Sequence, residues 1–389
     1  MSSADRDVAA TASNIRIENA RIVTPEAVRE GGVHIKAGRI AAIGTETDGT
    51  PDQHIDAEGR LVLPGLIDLH GDDIEDHVYP RSGVQVDSAV AFRSVDRANV
   101  TAGITTKFHA VSFTDRPEDD RSVELATRLA DRIDRFTAGA IDHRFHARCE
   151  LTNADAVDAV VNALDRGVVD LASVMTHIPG QGQYRNFDNF KEWFAEQSSA
   201  PRPTARERWE RTRSIDQATL DARADRVIDA AHAADIPVAS HDNETATEIR
   251  RMADRGVDIC EYPVTIAAAE AAATTEMTTA MGAPNLVRGE SQWGNLTSID
   301  AANAGVLDVL CVDYHPPSLL AAPFVDTGEP LPKRVARVTK NPADAVGLHD
   351  RGRIAEGARA DLVVVDTEET PTVSRAFVAG QGVYKAEGN

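Results

Sequence analysis

Polar side chains of metal-binding type recur at the ends of apolar runs in this chain. GLIDLH runs into His70-Gly71-Asp72, and HRFHARCE ends in Glu150. LASVMTH ends in His177, IPVASH runs into His241-Asp242, and VLDVLCVDYHP contains Asp313. Three imidazoles with carboxylates make a borderline-hard donor set, suited to Zn²⁺ or Mn²⁺. Each piece alone has a plainer reading. A histidine at a strand end is more often a hydrogen-bonded structural residue, Glu150 could pair with Arg148, and Asp313 could cap a helix. Cys149 reads as a small buried apolar residue rather than a ligand. The metal reading depends on a fold that brings five distant segments to one place.

Repeated strand-then-helix units supply such a fold. Eight apolar runs can be counted: GLIDLH, GITTKFHA, HRFHARCEL, LASVMTH, IPVASH, VDICEYPV, APNLVRG and VLDVLCVDYHP. Between them lie helical stretches such as SVELATRLADRIDRFTAGA, NADAVDAVVNALDRG, QATLDARADRVIDAAHAAD and NETATEIRRMADRG. This alternation predicts a parallel sheet covered by helices, closed as a (β/α)8 TIM-like barrel of the α/β class. A doubly wound open sheet is the alternative, but no GxGxxG follows an early strand. In a barrel, the C-terminal strand ends share one rim, so the five segments converge there. Residues 14–63 and the last stretch both read as short strands with Gly-containing turns. The expected division is a small β-sandwich built from 1–63 and 346–389, around a metal-dependent barrel over 64–345. A long insert, 178–215, carries Arg185, Arg202, Arg206, Arg208, Arg211 and Arg213. It reads equally as a lid or as a solvated helix.

The acidic balance narrows the partners. Across 389 residues, 62 Asp and Glu face 41 Lys and Arg, a net charge of −21, and only six of those cations are Lys. Such a surface disfavours nonspecific nucleic-acid binding. It fits a well-solvated exterior, or adaptation to a salt-rich, halophile-like cytoplasm. No apolar run approaches the ~20 residues of a membrane span, and no signal peptide is visible. Three cysteines, at 149, 260 and 311, fit a reducing compartment, so a cytoplasmic location is expected.

PGLIDLHGD, the β-rich ends and the late VDY together resemble the amidohydrolase superfamily. More narrowly, GLIDLHGDDIEDHVYPRSGV, FHARCEL, MTHIPGQGQYRNF, ASHDNET, NLVRGESQWGN and VDYHPPSLL resemble the PhnM family of α-D-ribose 1-methylphosphonate 5-triphosphate diphosphatases. The resemblance implies two divalent ions, expected as Zn²⁺ with Mn²⁺ or Fe²⁺ as alternatives. His70 and Asp72 would hold the more buried ion, and His177 and His241 the second. Glu150 would bridge them, and Asp313 would ligate the first and shuttle the proton. The implied substrate is a small phosphorylated sugar phosphonate, cleaved to the 5-phosphate and pyrophosphate. Arg81, Lys107, Arg148, Arg185, Arg288 and Tyr314, all beside rim motifs, would meet its phosphates. Tyr79 is a further hydrogen-bond donor of the same kind. A homodimer is expected from the frequency of symmetric dimers.

This chain departs from the family pattern near the expected pocket. Gln292 and Trp293 stand in the stretch where the family carries a His, Asp73 replaces an Asn, and His315 follows Tyr314. The alternative functions are an amidohydrolase-fold deacetylase, a cyclic amidase or deaminase, and a non-catalytic barrel scaffold. The acidic run Asp72-Asp73-Glu75-Asp76 reads as a polar rim loop. His109, His143 and His146 read as structural residues on strands.

Overall fold

The structure is a computed structural model that describes residues 14–44, 50–81, 83–116, 120–178, 210, 212–291 and 294–386. Five short strands come first: β1 (Asn14–Val23), β2 (Val28–Lys36), β3 (Arg39–Gly44), β4 (Gln53–Asp56) and β5 (Leu61–Pro64). Eight parallel strands follow: β6 (Leu66–Gly71), β7 (Ile104–Phe113), β8 (Asp142–Glu150), β9 (Leu171–Met175), β10 (Val238–His241), β11 (Ile259–Glu261), β12 (Thr278–Gly282) and β13 (Val309–Cys311). Three more close the chain: β14 (Leu362–Asp366), β15 (Thr372–Val378) and β16 (Gln381–Lys385).

The two chain ends form one mixed sheet, because β14 pairs antiparallel with β5. The first part of β1 pairs with β4 and its last part with β5. The register of β1 against β2 slips between Ile17 and Ala20, and Asn19 adopts a φ of 51° there. That irregularity turns the sheet over a core of its own, including Ile17, Val33, Ile35, Leu362 and Phe377.

The eight parallel strands form the TIM-like barrel. An isolated parallel bridge between Gly71 and Asp313 joins the last strand to the first. Asp68 reinforces the seam by accepting from the backbone N–H groups of His70 (3.1 Å) and Val312 (2.8 Å). Alternation along β8 separates two faces. Phe145, Ala147 and Cys149 pack into the outer core, while His146, Arg148 and Glu150 contact groups inside the barrel. Short capped turns lead from strand ends into helices. Asn153, Thr245, Thr265 and Thr297 each accept a first-turn N–H.

One strand lies elsewhere than the sequence pattern suggests. The seventh strand is Thr278–Gly282, whereas APNLVR forms a helix, Ala283–Arg288. Pro284 suits the first helical turn, and Gly289, at φ 74°, ends the helix in the left-handed conformation. The apolar run was the weaker signal beside this Pro-then-Gly punctuation.

Candidate metal centre

The C-terminal ends of the strands carry the site. His70 is buried at the end of β6, and its ring lies 5.3 Å from that of His241, stacked at 16°. The His241 ring is 6.3 Å from that of His177. Glu150 Oε2 is 2.5 Å from His177 Nδ1, and Oε1 accepts from the Thr152 hydroxyl at 2.7 Å. Asp72 and Asp313 are joined through the main chain: the Asp72 N–H donates to the Asp313 carbonyl, and the Asp313 N–H to that of His70. The structure thus brings His70, Asp72, Glu150, His177, His241 and Asp313 to one rim. Asp242 and Asp313 both sit there with left-handed backbone, φ 59° and 58°. Asp tolerates that conformation better than most residues.

Glu261 and Tyr262 join this group without having been singled out in the sequence. Glu261 Oε1 is 3.0 Å from His70 Nδ1, and Oε2 is 3.3 Å from His241 Nδ1. Tyr262, at φ 50°, stands edge-on to His70 with ring centres 5.0 Å apart. The signal was masked: Glu261 lies inside the run VDICEYPV, although the strand Ile259–Glu261 ends on it.

The electrostatics favour a cation. Burial, the Asp72 charge and the Asp242 charge raise the Asp313 carboxyl to about 8, against the attraction of Arg148. Burial and the charges of Glu261 and Glu150 raise Asp242 to about 7. Burial lowers His241 to about 3, and it also lowers His70 and His177. The imidazoles are therefore neutral, the form that ligates metals. Glu150 behaves differently. Burial opposes its charge, but contacts with His177, Arg116 and Thr152 outweigh it and hold the carboxyl at about 2. Two donor triplets each gather ligand atoms within 4.8 Å: His70, His241 and Glu261, and His177, His241 and Asp242. Neutral imidazoles beside crowded carboxylates fit a divalent ion of the zinc or manganese type.

The expected phosphate contacts divide. Arg148 is buried within the site, with Nη1 3.5 Å from Asp72 Oδ2. It does not pair with Glu150; the cation there is Arg116, at 3.5 Å. Arg288 donates to the Tyr314 hydroxyl at 3.2 Å. Both line a cleft of about 200 Å³ that also touches Asp242, Tyr262 and Asp313. Arg81 is exposed in a turn, where its carbonyl accepts from the Val84 N–H. Arg185, Gln292 and Trp293 lie outside the described residues, as do Arg202, Arg206, Arg208 and Arg211 of the insert.

Lys107 requires a correction as a phosphate contact. It is wholly buried, with Nζ 2.8 Å from Asp68 and 2.7 Å from Asp73. A Cβ at position 71 would lie 1.8 Å from that Nζ, so the ammonium occupies the space that glycine leaves. The acidic run is likewise no polar loop. It forms the helix Asp73–Val78, with Asp73 and Glu75 buried against Lys107 and Arg121. Buried Lys107 and half-buried Arg121 neutralise acids that sequence alone placed in solvent. Asp73, where the family has Asn, also accepts from Asn99 at 3.3 Å. His315 precedes a helix and bonds the Ser318 hydroxyl. His109 and His143 pair outside the barrel, 2.8 Å apart, with His143 bonded to Asp96.

Comparison with known proteins agrees with this geometry. The amidohydrolase family model matches residues 321–381. The α-D-ribose 1-methylphosphonate 5-triphosphate diphosphatase of Escherichia coli K12 is 33% identical over 361 residues, 91% of this chain and 95% of that protein. D-hydantoinase of Rhizobium radiobacter is 33% identical over 154 residues, only 39% of this chain and 30% of that one. Among solved structures, molinate hydrolase superposes with a TM-score of 0.67 at 15% identity, covering 95% of this chain and 94% of that chain. L-hydantoinase from Arthrobacter aurescens superposes with a TM-score of 0.56 at 14% identity, covering 96% of each chain. No helix among the described residues is long and apolar enough to cross a membrane. A hydrolase-type rim on a barrel, with a full-length relative of this identity, places the chain in the PhnM family of the amidohydrolase superfamily.

Proposed function

We propose that this chain is a metal-dependent diphosphatase. It would hydrolyse α-D-ribose 1-methylphosphonate 5-triphosphate to the 5-phosphate and pyrophosphate. The observation that carries the reading is the full-length relationship to the Escherichia coli diphosphatase, against the partial match to hydantoinase. In this reading the barrel of 64–345 performs the chemistry, and the sheet of 1–63 and 346–389 frames it.

His70 and Asp72 would hold one ion, His177 and His241 the other, and Glu150 would lie between. Two bound divalent ions supply a water-derived nucleophile at neutral pH and neutralise phosphoryl charge. Asp313 would ligate the first ion and carry the proton taken from the attacking water. Arg148, inside the rim, and Arg288, on its lip, would bind phosphoryl oxygens; Arg suits bidentate contact. The Tyr314 hydroxyl, which accepts from Arg288, would orient that guanidinium. The acidic exterior repels polyanions, so these local cations would supply the attraction.

A pyrophosphate-release assay on metal-reconstituted protein tests the proposal. Release from the ribosyl triphosphate alone is the expected result. Release from nucleoside triphosphates as well would widen the substrate class, and turnover of a cyclic amide alone would overturn the reading. Glu150→Gln is expected to lower metal stoichiometry by elemental analysis. Unchanged metal content would remove its bridging role.

A further inference from the structure

We propose that Glu261 is a positioning residue that sets the tautomer of two metal-binding histidines at once. Its carboxylate would hold both His70 and His241 with the proton on Nδ1, so that each turns its Nε2 lone pair towards a cation. The proposal rests on the metal-centre reading above and deepens it.

The geometry carries the argument. Glu261 is buried, 1% exposed, at the end of β11. One oxygen faces each ring: Oε1 is 3.0 Å from His70 Nδ1 and Oε2 is 3.3 Å from His241 Nδ1. A carboxylate only accepts, so these two contacts, as hydrogen bonds, place hydrogen on both Nδ1 atoms. A neutral imidazole protonated there keeps its free lone pair on Nε2. The two rings that share this acceptor stack near-parallel, at 16°.

His146 does not compete for that acceptor. Its Nδ1 lies 2.9 Å from the Leu69 carbonyl and its Nε2 lies 2.9 Å from the Ser173 hydroxyl, leaving it 4.0 Å from Glu261. Its ring instead packs edge-on to His70 and shields that side. His70 and His241 belong to different ions in the reading above, so one carboxylate would tie the two positions together. An amide at 261 can accept from one ring only; its NH₂ group would face the other N–H. Partners that orient ligating histidines are commonly worth 10–100-fold in metal affinity.

The test uses full-length protein labelled with ¹⁵N-histidine. Long-range ¹H–¹⁵N spectra of the metal-free form read the tautomers, with His70→Asn and His241→Asn used for assignment. Wild type is expected to show both rings as Nδ1–H. Glu261→Gln should move at least one ring to Nε2–H and weaken metal binding about 10–100-fold in a chelator competition. Glu261→Asp keeps the carboxylate and should retain both tautomers, and this variant covers the case in which the Gln variant does not fold. Two results overturn the proposal. One is unchanged tautomers in Glu261→Gln. The other is loss of a whole metal equivalent with tautomers intact, which makes Glu261 a direct ligand. No substrate enters these measurements. A wild type with the expected tautomers that releases no pyrophosphate would overturn the substrate assignment and leave this one standing.

Discussion

The two ends of the barrel use charge in opposite ways. At the N-terminal ends of the strands, Asp142 meets three arginines: Arg351 at 2.7 Å, Arg144 at 3.1 Å and Arg359 at 3.8 Å. Those cations overcome its burial and hold its carboxyl at about 2. At the C-terminal ends, Asp72, Asp242 and Asp313 crowd around Arg148, and the last two are pushed up to about 7 and 8. At the bottom, the chain's own arginines neutralise Asp142. The top holds acid in excess of its cations. An end whose charges are matched can only hold the fold together, whereas an end left short of positive charge can take a cation and work with it.

That contrast can be broken by mutation, and the largest effect is expected at the top. Asp313→Asn should cut turnover by about 10²–10⁴-fold while thermal unfolding and metal content stay near wild type. Pyrophosphate release within a few-fold of wild type would remove Asp313 from the chemistry. At the bottom, Asp142→Asn strips the shared acceptor from three buried or nearly buried arginines. It should cost about 3–5 kcal/mol in denaturant unfolding, with metal affinity per folded molecule unchanged. A loss of metal affinity there would mean that the two ends are coupled.

Acid titration sharpens the same comparison by a smaller amount. The folded Asp142 carboxyl titrates at about 2, below its ordinary 3.8, so the unfolded chain binds that proton more readily. Its stabilisation is complete above about pH 5 and is lost as pH falls towards 2; the gap is worth ~2 kcal/mol. Asp142→Asn should flatten that part of the pH–stability curve, and a parallel curve would show that the network does not depend on this charge. The smallest effect belongs to a cap. Thr245→Ala removes one half of the capping box with Glu248, just beyond His241. It should cost ~1 kcal/mol and leave turnover unchanged, which thermal unfolding and the release assay would show together.

Strand-end chemistry was the most readable part of the site. His70, Glu150, His177, His241 and Asp313 stand out because each closes or follows an apolar run, and a parallel barrel sends such ends to one rim. Glu261 escaped because VDICEYPV continues into Tyr262 and Pro263, so its acid reads as interior to a run. Lys107 was misplaced for the opposite reason: a lysine beside a rim motif suggests a ligand for phosphate, and nothing local reveals Asp68 and Asp73 waiting around its Nζ.

By itself the sequence determined the class of fold, the pairing of the chain ends in a small sheet, and the donor types gathered at the rim. Hydrophobic period, turn residues and donor types are local properties, readable over a few residues. Only the tertiary structure decided which carboxylates face cations and which face each other. It turned Arg148 towards Asp72 and Arg116 towards Glu150, buried Lys107, and set Glu261 between two imidazoles. Those outcomes depend on distances between strands far apart in the chain, and on burial, which magnifies every matched or unmatched charge.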